Sequence, residues 1–412
     1  MKNLIIKIFN KLYSLTLAKP KHRRRYNDFL FFFLWRLRFK LSSIKPVDNK
    51  LIVFVADGSK TMPNEYRSIV ELAEKNGYKC KIFYHFKDGN RIAFANEFSK
   101  MRSELNFQKY YARAKAVFLY DYYLPVYANK PRKGTRVIQI WHACGAFKKW
   151  GYSTKDSNWG LTSKELEKYN VHQTYTDIVT SSAFIADKYA EAFGTSVDIV
   201  SPLGVARTDV YFDKSFISKQ RSSLLEKYPQ IQNKKIILYA PTHRGTSLNT
   251  SYNDKAIDFV KMKQFFLDDY VLLMKLHPRL ANKIEFTEEE QKQLNGFLFD
   301  VSKEISIETA LCSADVVITD YSSLIFEYAI FDRPMIFYAY DLDEYDSERS
   351  FYYDYRSFVP GQIAQTTDEL ISALKKAEES FDLDRLHRFK EKFMSSCDGH
   401  STERIYQKFI EE

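Results

Sequence analysis

Cysteine is scarce in this 412-residue sequence: Cys80, Cys144, Cys312 and Cys397 stand far apart, with no C-x-x-C pair. That spacing excludes a dense disulfide framework and a structural zinc site of the usual kind. Long apolar runs are missing too. The longest, from Phe29 to Trp35, has seven residues, far short of the ~20 that span a bilayer. Lys7 interrupts the run Leu4-Ile5-Ile6 and no small-residue cleavage site follows, so no signal peptide is expected. There is no G-x-x-x-x-G-K-[ST], no G-x-G-x-x-G and no H-E-x-x-H. These absences argue against a P-loop ATPase, a simple dinucleotide enzyme and a histidine metal site. No metal and no cofactor are expected. Solenoid repeats, low-complexity linkers and sustained heptads are absent as well.

What is present is apolar bulk and an uneven charge. The chain is 45% hydrophobic and 16% aromatic, enough to bury sizeable cores. Of the net charge of +10, residues 1–50 hold 13 Lys or Arg against Asp28 and Asp48, a balance of +11 that leaves the remainder at −1. A nucleic-acid-binding body would itself be basic, so no nucleic-acid partner is expected. In the basic segment, Ile5, Ile8, Phe9, Leu12 and Leu15 fall at helical spacing, and Arg23-Arg24-Arg25 precede Phe31, Phe32 and Trp35. Aromatic rings beside cations suit the surface of an anionic leaflet. Arg23, Arg24, Arg25, Phe31, Phe32 and Trp35 are the expected membrane contacts. A helix packed on the body, or a basic arm for nucleic acid, would share the pattern.

From residue 51 short buried-strand patterns alternate with helical ones: 51–55, 81–84, 116–120, 136–140 and 177–180, then 235–239, 271–276, 315–318 and 334–338. Such alternation predicts parallel sheets covered on both faces. Two series in tandem predict an α/β chain of two doubly wound, Rossmann-like domains facing across a cleft. The expected divisions are 1–50, a membrane-associating segment; 51–205, an acceptor domain; and 206–412, a donor domain with closing C-terminal helices.

Ligands of open parallel sheets bind beyond the carboxyl ends of the strands. Four strand ends carry polar clusters: Trp141-His142-Ala143-Cys144-Gly145-Ala146, Pro241-Thr242-His243-Arg244, His277-Pro278-Arg279 and Thr319-Asp320-Tyr321-Ser322-Ser323. His142 and His277 are candidate acid–base groups, because imidazole titrates near neutrality. Ser322 and Ser323 at a helix start offer donors to an anion or serve only as caps. Arg207, in Gly204-Val205-Ala206-Arg207-Thr208-Asp209, and Arg244 suit phosphate, although an ion pair of Arg207 with Asp209 would look the same.

Thr319-Asp320-Tyr321-Ser322-Ser323, with Glu327-Tyr328, Arg333-Pro334 and Ile336 to Asp341, resembles the signature of the CDP-glycerol glycerophosphotransferases, which build teichoic acids and related polyol phosphate polymers. Trp141-His142, the Arg207 segment, Tyr239 to Arg244 and His277-Pro278 follow the family's order, so the resemblance covers about residues 135–355. It implies a GT-B-like fold, peripheral on the cytoplasmic face of the cell membrane. It also implies transfer of glycerol phosphate from CDP-glycerol to a hydroxyl of a lipid-linked acceptor, with release of CMP. His142 would be the base on the acceptor hydroxyl. His277 and Arg244 would hold the donor pyrophosphate. Arg207, Thr242, Ser322 and Ser323 would cradle phosphate oxygens, with Thr319, Asp320 and Glu327 in the donor pocket. The Ala-Cys-Gly-Ala after His142 is similar to the primase-like subgroup, and Glu327 stands where Asp is usual. CDP-ribitol as donor, or a GT-B sugar-nucleotide glycosyltransferase or epimerase, are the alternatives.

Overall fold

The computed structural model describes residues 20–57, 59, 61–85, 93–158, 160–242, 256–276 and 286–412. The chain divides into two compact units. The first comprises residues up to His142, Trp150–Arg207 and His400–Glu412; the second comprises Ala143–Lys149 and Thr208–Gly399. The division is therefore not one boundary near residue 205. A short piece after His142 joins the second unit, and the last 13 residues return to the first, although the sequence pattern places them with the donor domain.

Six parallel strands form the first sheet: β1 (Asp48–Asp57), β2 (Lys79–His85), β3 (Ala114–Leu119), β4 (Arg136–Gln139), β5 (Asp177–Val179) and β6 (Val200–Ser201), in the order β2-β1-β3-β4-β5-β6. Ile52, Phe54, Ala116, Phe118 and Ile138 are fully buried, as both-sided burial of a parallel sheet requires. The helix Asn64–Lys75 buries Tyr66, Ile69, Val70 and Ala73, an i, i+3, i+4, i+7 stripe. Tyr66 Oη lies 2.8 Å from the Val55 carbonyl and 3.1 Å from that of Phe118, sharing its proton between β1 and β3. Ile405, Tyr406, Phe409 and Ile410 of the returning C-terminus complete this core.

The second sheet is also parallel: β7 (Lys235–Tyr239), β8 (Tyr270–Met274), β9 (Leu298–Asp300), β10 (Val316–Thr319), β11 (Met335–Tyr338) and β12 (Gln362–Ala364), in the order β12-β11-β10-β7-β8-β9. Its core joins Ile237, Leu272, Ile318 and Ile336 to Leu370, Ile371 and Leu374 of the helix Thr367–Lys375. That helix starts at a capping box of Thr366 and Glu369, which satisfies two backbone donors reciprocally.

Residues 1–19 lie outside the described residues. From Pro20 the chain is helical to Ser42, with a wider π-type turn over Leu30–Trp35. This corrects part of the membrane expectation. Phe31 and Trp35 are 0% and 2% exposed, and the Phe31 ring packs edge-on to Tyr169 at 5.0 Å. Arg23 donates to Glu97 at 2.9 Å, and Asp28 accepts from Tyr169 at 2.7 Å. The segment is thus bolted to the first unit, because its rings bury more apolar area against protein than they could in water. Arg24, Arg25 and Phe32 remain exposed. So do Phe29, Phe33, Leu37, Leu41 and Ile44, which recur almost every fourth residue along one face. No helix among the described residues is long and apolar enough to cross a membrane.

Candidate active site

In the first unit the chain leaves β4 through Gln139 and turns at Trp141, which takes a left-handed φ of 52°. An L-residue reaches that conformation only with support from its surroundings, and Gln139 supplies it. Its Oε1 accepts from the Trp141 backbone N–H at 2.9 Å, while its Nε2 donates to Tyr175 Oη at 3.0 Å. Tyr175 is bonded in turn to Tyr127 at 2.6 Å and to His172 Nδ1 at 2.9 Å. Burial holds the His172 imidazole down to about 3, so it stays neutral in this network at physiological pH. The sequence reading gave Gln139 and Tyr175 no role. Their signal, the strained turn they support, exists only in three dimensions.

That turn presents His142. Its side chain is 42% exposed, packs its ring at a tilt against Trp141 at 4.2 Å, and places Nδ1 3.1 Å from the Tyr120 carbonyl. A carbonyl only accepts, so Nδ1 carries the proton and Nε2 carries the lone pair. Asp121 Oδ1 stands 3.9 Å from the same Nδ1. An exposed imidazole with an oriented Nδ1–H is a competent general base.

Arg207 ends the Trp150–Arg207 stretch of the first unit and is not part of the second. It pairs with Glu65 at 3.1 Å, with both side chains largely buried. The Glu65 carboxylate offsets part of its charge.

The second unit gathers Thr242, Thr319, Asp320, Ser322 and Ser323 beyond β7 and β10. These are the neighbouring strands at which the order of this sheet reverses, the usual ligand position of such sheets. Asp320, 3% exposed, is the keystone. Its Oδ1 accepts from the backbone N–H of Thr242 at 2.8 Å and of Tyr321 at 2.6 Å. Thr319 Oγ1 donates to the Ala240 carbonyl at 2.7 Å, and Tyr355 Oη donates to the Asp320 carbonyl at 3.0 Å. Thr319 and Asp320 thus hold the two loops together; they shape the site from beneath. Ser322 Oγ accepts from Leu324 N–H at 3.3 Å, while the half-buried Ser323 makes no side-chain cap bond to the helix Leu324–Tyr328. Ser323 therefore does not act as a side-chain cap. Glu327 is half-buried one turn on. Arg244 and His277, the other two expected donor residues, lie outside the described residues.

The segment after His142 reads Ala-Cys-Gly-Ala for a steric reason. Gly145 has φ +65°, and a Cβ there would fall 2.2 Å from the Phe326 ring. Beyond it, Phe147 stacks on Phe358 at 4.7 Å and on Phe351 at 5.0 Å.

Two parallel, doubly wound sheets, with polar clusters beyond β4 of the first and at the switch point of the second, define a GT-B-like α/β protein. The solved structure of the wall teichoic acid polymerase TagF, in its H444N variant, shares this fold at a TM-score of 0.75 and 22% identity, covering 98% of this chain and 97% of that one. The UDP-GlcNAc 2-epimerase of Neisseria meningitidis is more distant, at 0.53 and 12% identity, covering 88% of this chain and all of that one. The chain belongs to the CDP-glycerol:poly(glycerophosphate) glycerophosphotransferase family, which it matches over residues 37–411. It is 34% identical over 99% of its length to the teichoic acid poly(ribitol-phosphate) polymerase of Bacillus spizizenii, of which it spans 63%. It is 33% identical to the teichoic acid ribitol-phosphate primase of the same organism, over 89% of this chain and 92% of that protein. With the teichoic acid glycerol-phosphate primase of Bacillus subtilis the figures are 29%, 92% and 96%.

Proposed function

We propose that this protein transfers a polyol phosphate from a CDP-polyol to a hydroxyl of a lipid-linked acceptor, releasing CMP, in the synthesis of a teichoic acid or related polymer. The observation that carries the reading is the family match over residues 37–411, with the signature Thr319 to Ser323 seated at the switch point of the second sheet. His142 Nε2 takes the proton of the acceptor hydroxyl as its oxygen attacks the β-phosphorus of the donor. The bond from that phosphorus to the bridging oxygen breaks, and CMP leaves with the electron pair. Ser322, Ser323 and Thr242 offer hydroxyl and amide donors to the phosphates, and Asp320 holds their loops. Arg244 and His277 are assigned by resemblance to the donor pyrophosphate, where they would stabilise the charge that leaves with CMP.

Ribitol is favoured over glycerol as the polyol. The identity to the ribitol-phosphate polymerase and primase, 34% and 33%, exceeds the 29% to the glycerol-phosphate primase. The exposed stripe Phe29, Phe33, Leu37 and Leu41, with Arg24 and Arg25 beside it, supports peripheral docking on the anionic cytoplasmic face of the membrane, where a lipid-linked acceptor would be met. CMP release from CDP-ribitol and CDP-glycerol, with and without acceptor, tests the reading. Silence with both donors, from folded protein that shifts its melting temperature with a UDP-sugar instead, would replace it with the sugar-nucleotide alternative.

A further inference from the structure

The first unit encloses a cavity of about 160 Å³ between the helical segment 20–42 and the helix Ala93–Tyr111. It opens at the carboxyl edge of the sheet: Asp57, the last residue of β1, and Tyr122, three residues beyond β3, both line it. β1 and β3 are the neighbours between which the strand order of the first sheet reverses. Open α/β sheets bind their ligands there, and the chemistry proposed above makes no use of this cavity.

Its lining selects a class of ligand. Asp57, Glu97 and Glu104 face Arg23 and Lys100, a mixed set that offers an anion no net attraction. Glu104 is 5% exposed, and its partner Lys100 stands 3.8 Å away, beyond hydrogen-bonding distance. Burial pushes this carboxyl up to about 8, so near neutrality it is protonated and can both donate and accept. A buried carboxyl whose ion-pair partner stands at 3.8 Å is incompletely satisfied, and a ligand hydroxyl would supply a closer contact. Tyr26 and Trp35 add ring surface for a C–H face. The volume is close to the roughly 150 Å³ of a cavity that holds benzene. It has room for one six-membered ring or a short polyol chain, and not for a nucleotide.

We propose that this cavity is an acceptor pocket for one neutral, hydroxyl-rich unit, a single sugar ring or a polyol, bound through its hydroxyl groups. The proposal rests on the transferase reading, because it takes the first unit to hold the acceptor. Its position is consistent with a lipid-borne ligand. The segment that lines the cavity with Tyr26, Leu30 and Trp35 exposes Phe29 and Phe33 to solvent. A docked bilayer and the pocket would then be separated by about one helix diameter, ~10–12 Å.

Two variants of the full chain test it. Met101→Trp fills the cavity from its wall, and Glu104→Leu removes the hydrogen-bonding carboxyl without leaving a buried polar group. Binding of methyl glucopyranoside, ribitol and glycerol is read by saturation-transfer NMR. At least one probe is expected to bind saturably, and both folded variants are expected to weaken it about tenfold or more while CDP-ribitol binding is unchanged. The preferred probe tells a ring from a chain. No binding tighter than about 100 mM, or equal binding by wild type and both variants, would overturn the proposal. Acceptor-dependent CMP release separates the two readings. Normal CMP release with unchanged acceptor KM in both variants removes the pocket and keeps the transferase. Cavity-dependent sugar binding in a protein that releases no CMP keeps the pocket as a binding site, while the transferase reading and the acceptor role fall together.

Discussion

The backbone N–H of Trp141 donates to the side-chain carbonyl of Gln139 at 2.9 Å, and the left-handed turn so formed aims His142. Because Gln139 also donates to Tyr175, its amide can point only one way. Gln139→Ala removes the acceptor and frees the turn. We expect kcat to fall about 10- to 100-fold, the scale of a misplaced catalytic group, with donor KM little changed. Gln139→Glu, which restores an acceptor for Trp141, should recover part of the loss. A fall in donor affinity matching the fall in kcat would contradict a positioning role.

Asp320 accepts two backbone N–H groups from a buried position. Asp320→Ala leaves both without their acceptor, and stability measured in urea should drop by about 2–3 kcal/mol. Asp320→Asn keeps one acceptor oxygen and should lose less. A drop below about 0.5 kcal/mol in the alanine variant would show that Asp320 is not the link between the two loops.

Gly145→Ala should destabilise the second unit. Left-handed φ costs an L-residue about 1–2 kcal/mol, and overlap with the Phe326 ring adds about 1–3 kcal/mol. Gly145→Ala paired with Phe326→Leu should regain part of the overlap term and none of the φ term. Equal stability of single and double variants would mean that the ring is not the obstacle.

Glu104 makes stability depend on pH in an unusual direction. Burial raises its folded pKa to about 8, above its value in the unfolded chain. The unfolded state therefore releases this proton first as pH rises. The contribution to stability is fully present below about pH 4.5 and is lost as pH climbs through about 8. Glu104→Gln removes the effect, so the variant should match wild type near pH 5 and exceed it at pH 8–9 by a few kcal/mol, on the order of 3–5 at most. Parallel pH profiles of the two proteins would contradict the assignment.

Much of this fold was legible in the sequence, and what escaped has a common cause. The nine strands visible as apolar runs are all present in the two sheets. The unforeseen β6, β9 and β12 have two or three residues each and lie at sheet edges, too short to show a period. The return of Ile405 to Ile410 to the first core is a tertiary choice no local pattern encodes. At the candidate site, the polar clusters read from the sequence do follow the ends of β4, β7 and β10. Gln139, Glu97 and Glu104 did not stand out, because their roles come from partners distant in sequence. Phe31 and Trp35 misled for the opposite reason: an aromatic run beside arginines reads alike whether it meets lipid or a protein groove.

The most direct test of the central claim is acceptor-dependent CMP release by purified wild type and His142→Ala, given CDP-ribitol and CDP-glycerol in parallel. The wild type is expected to release CMP from CDP-ribitol, and His142→Ala to lose at least ~100-fold of that rate with donor binding retained. Undiminished turnover in His142→Ala, or no release from either donor by folded wild type, would contradict the claim.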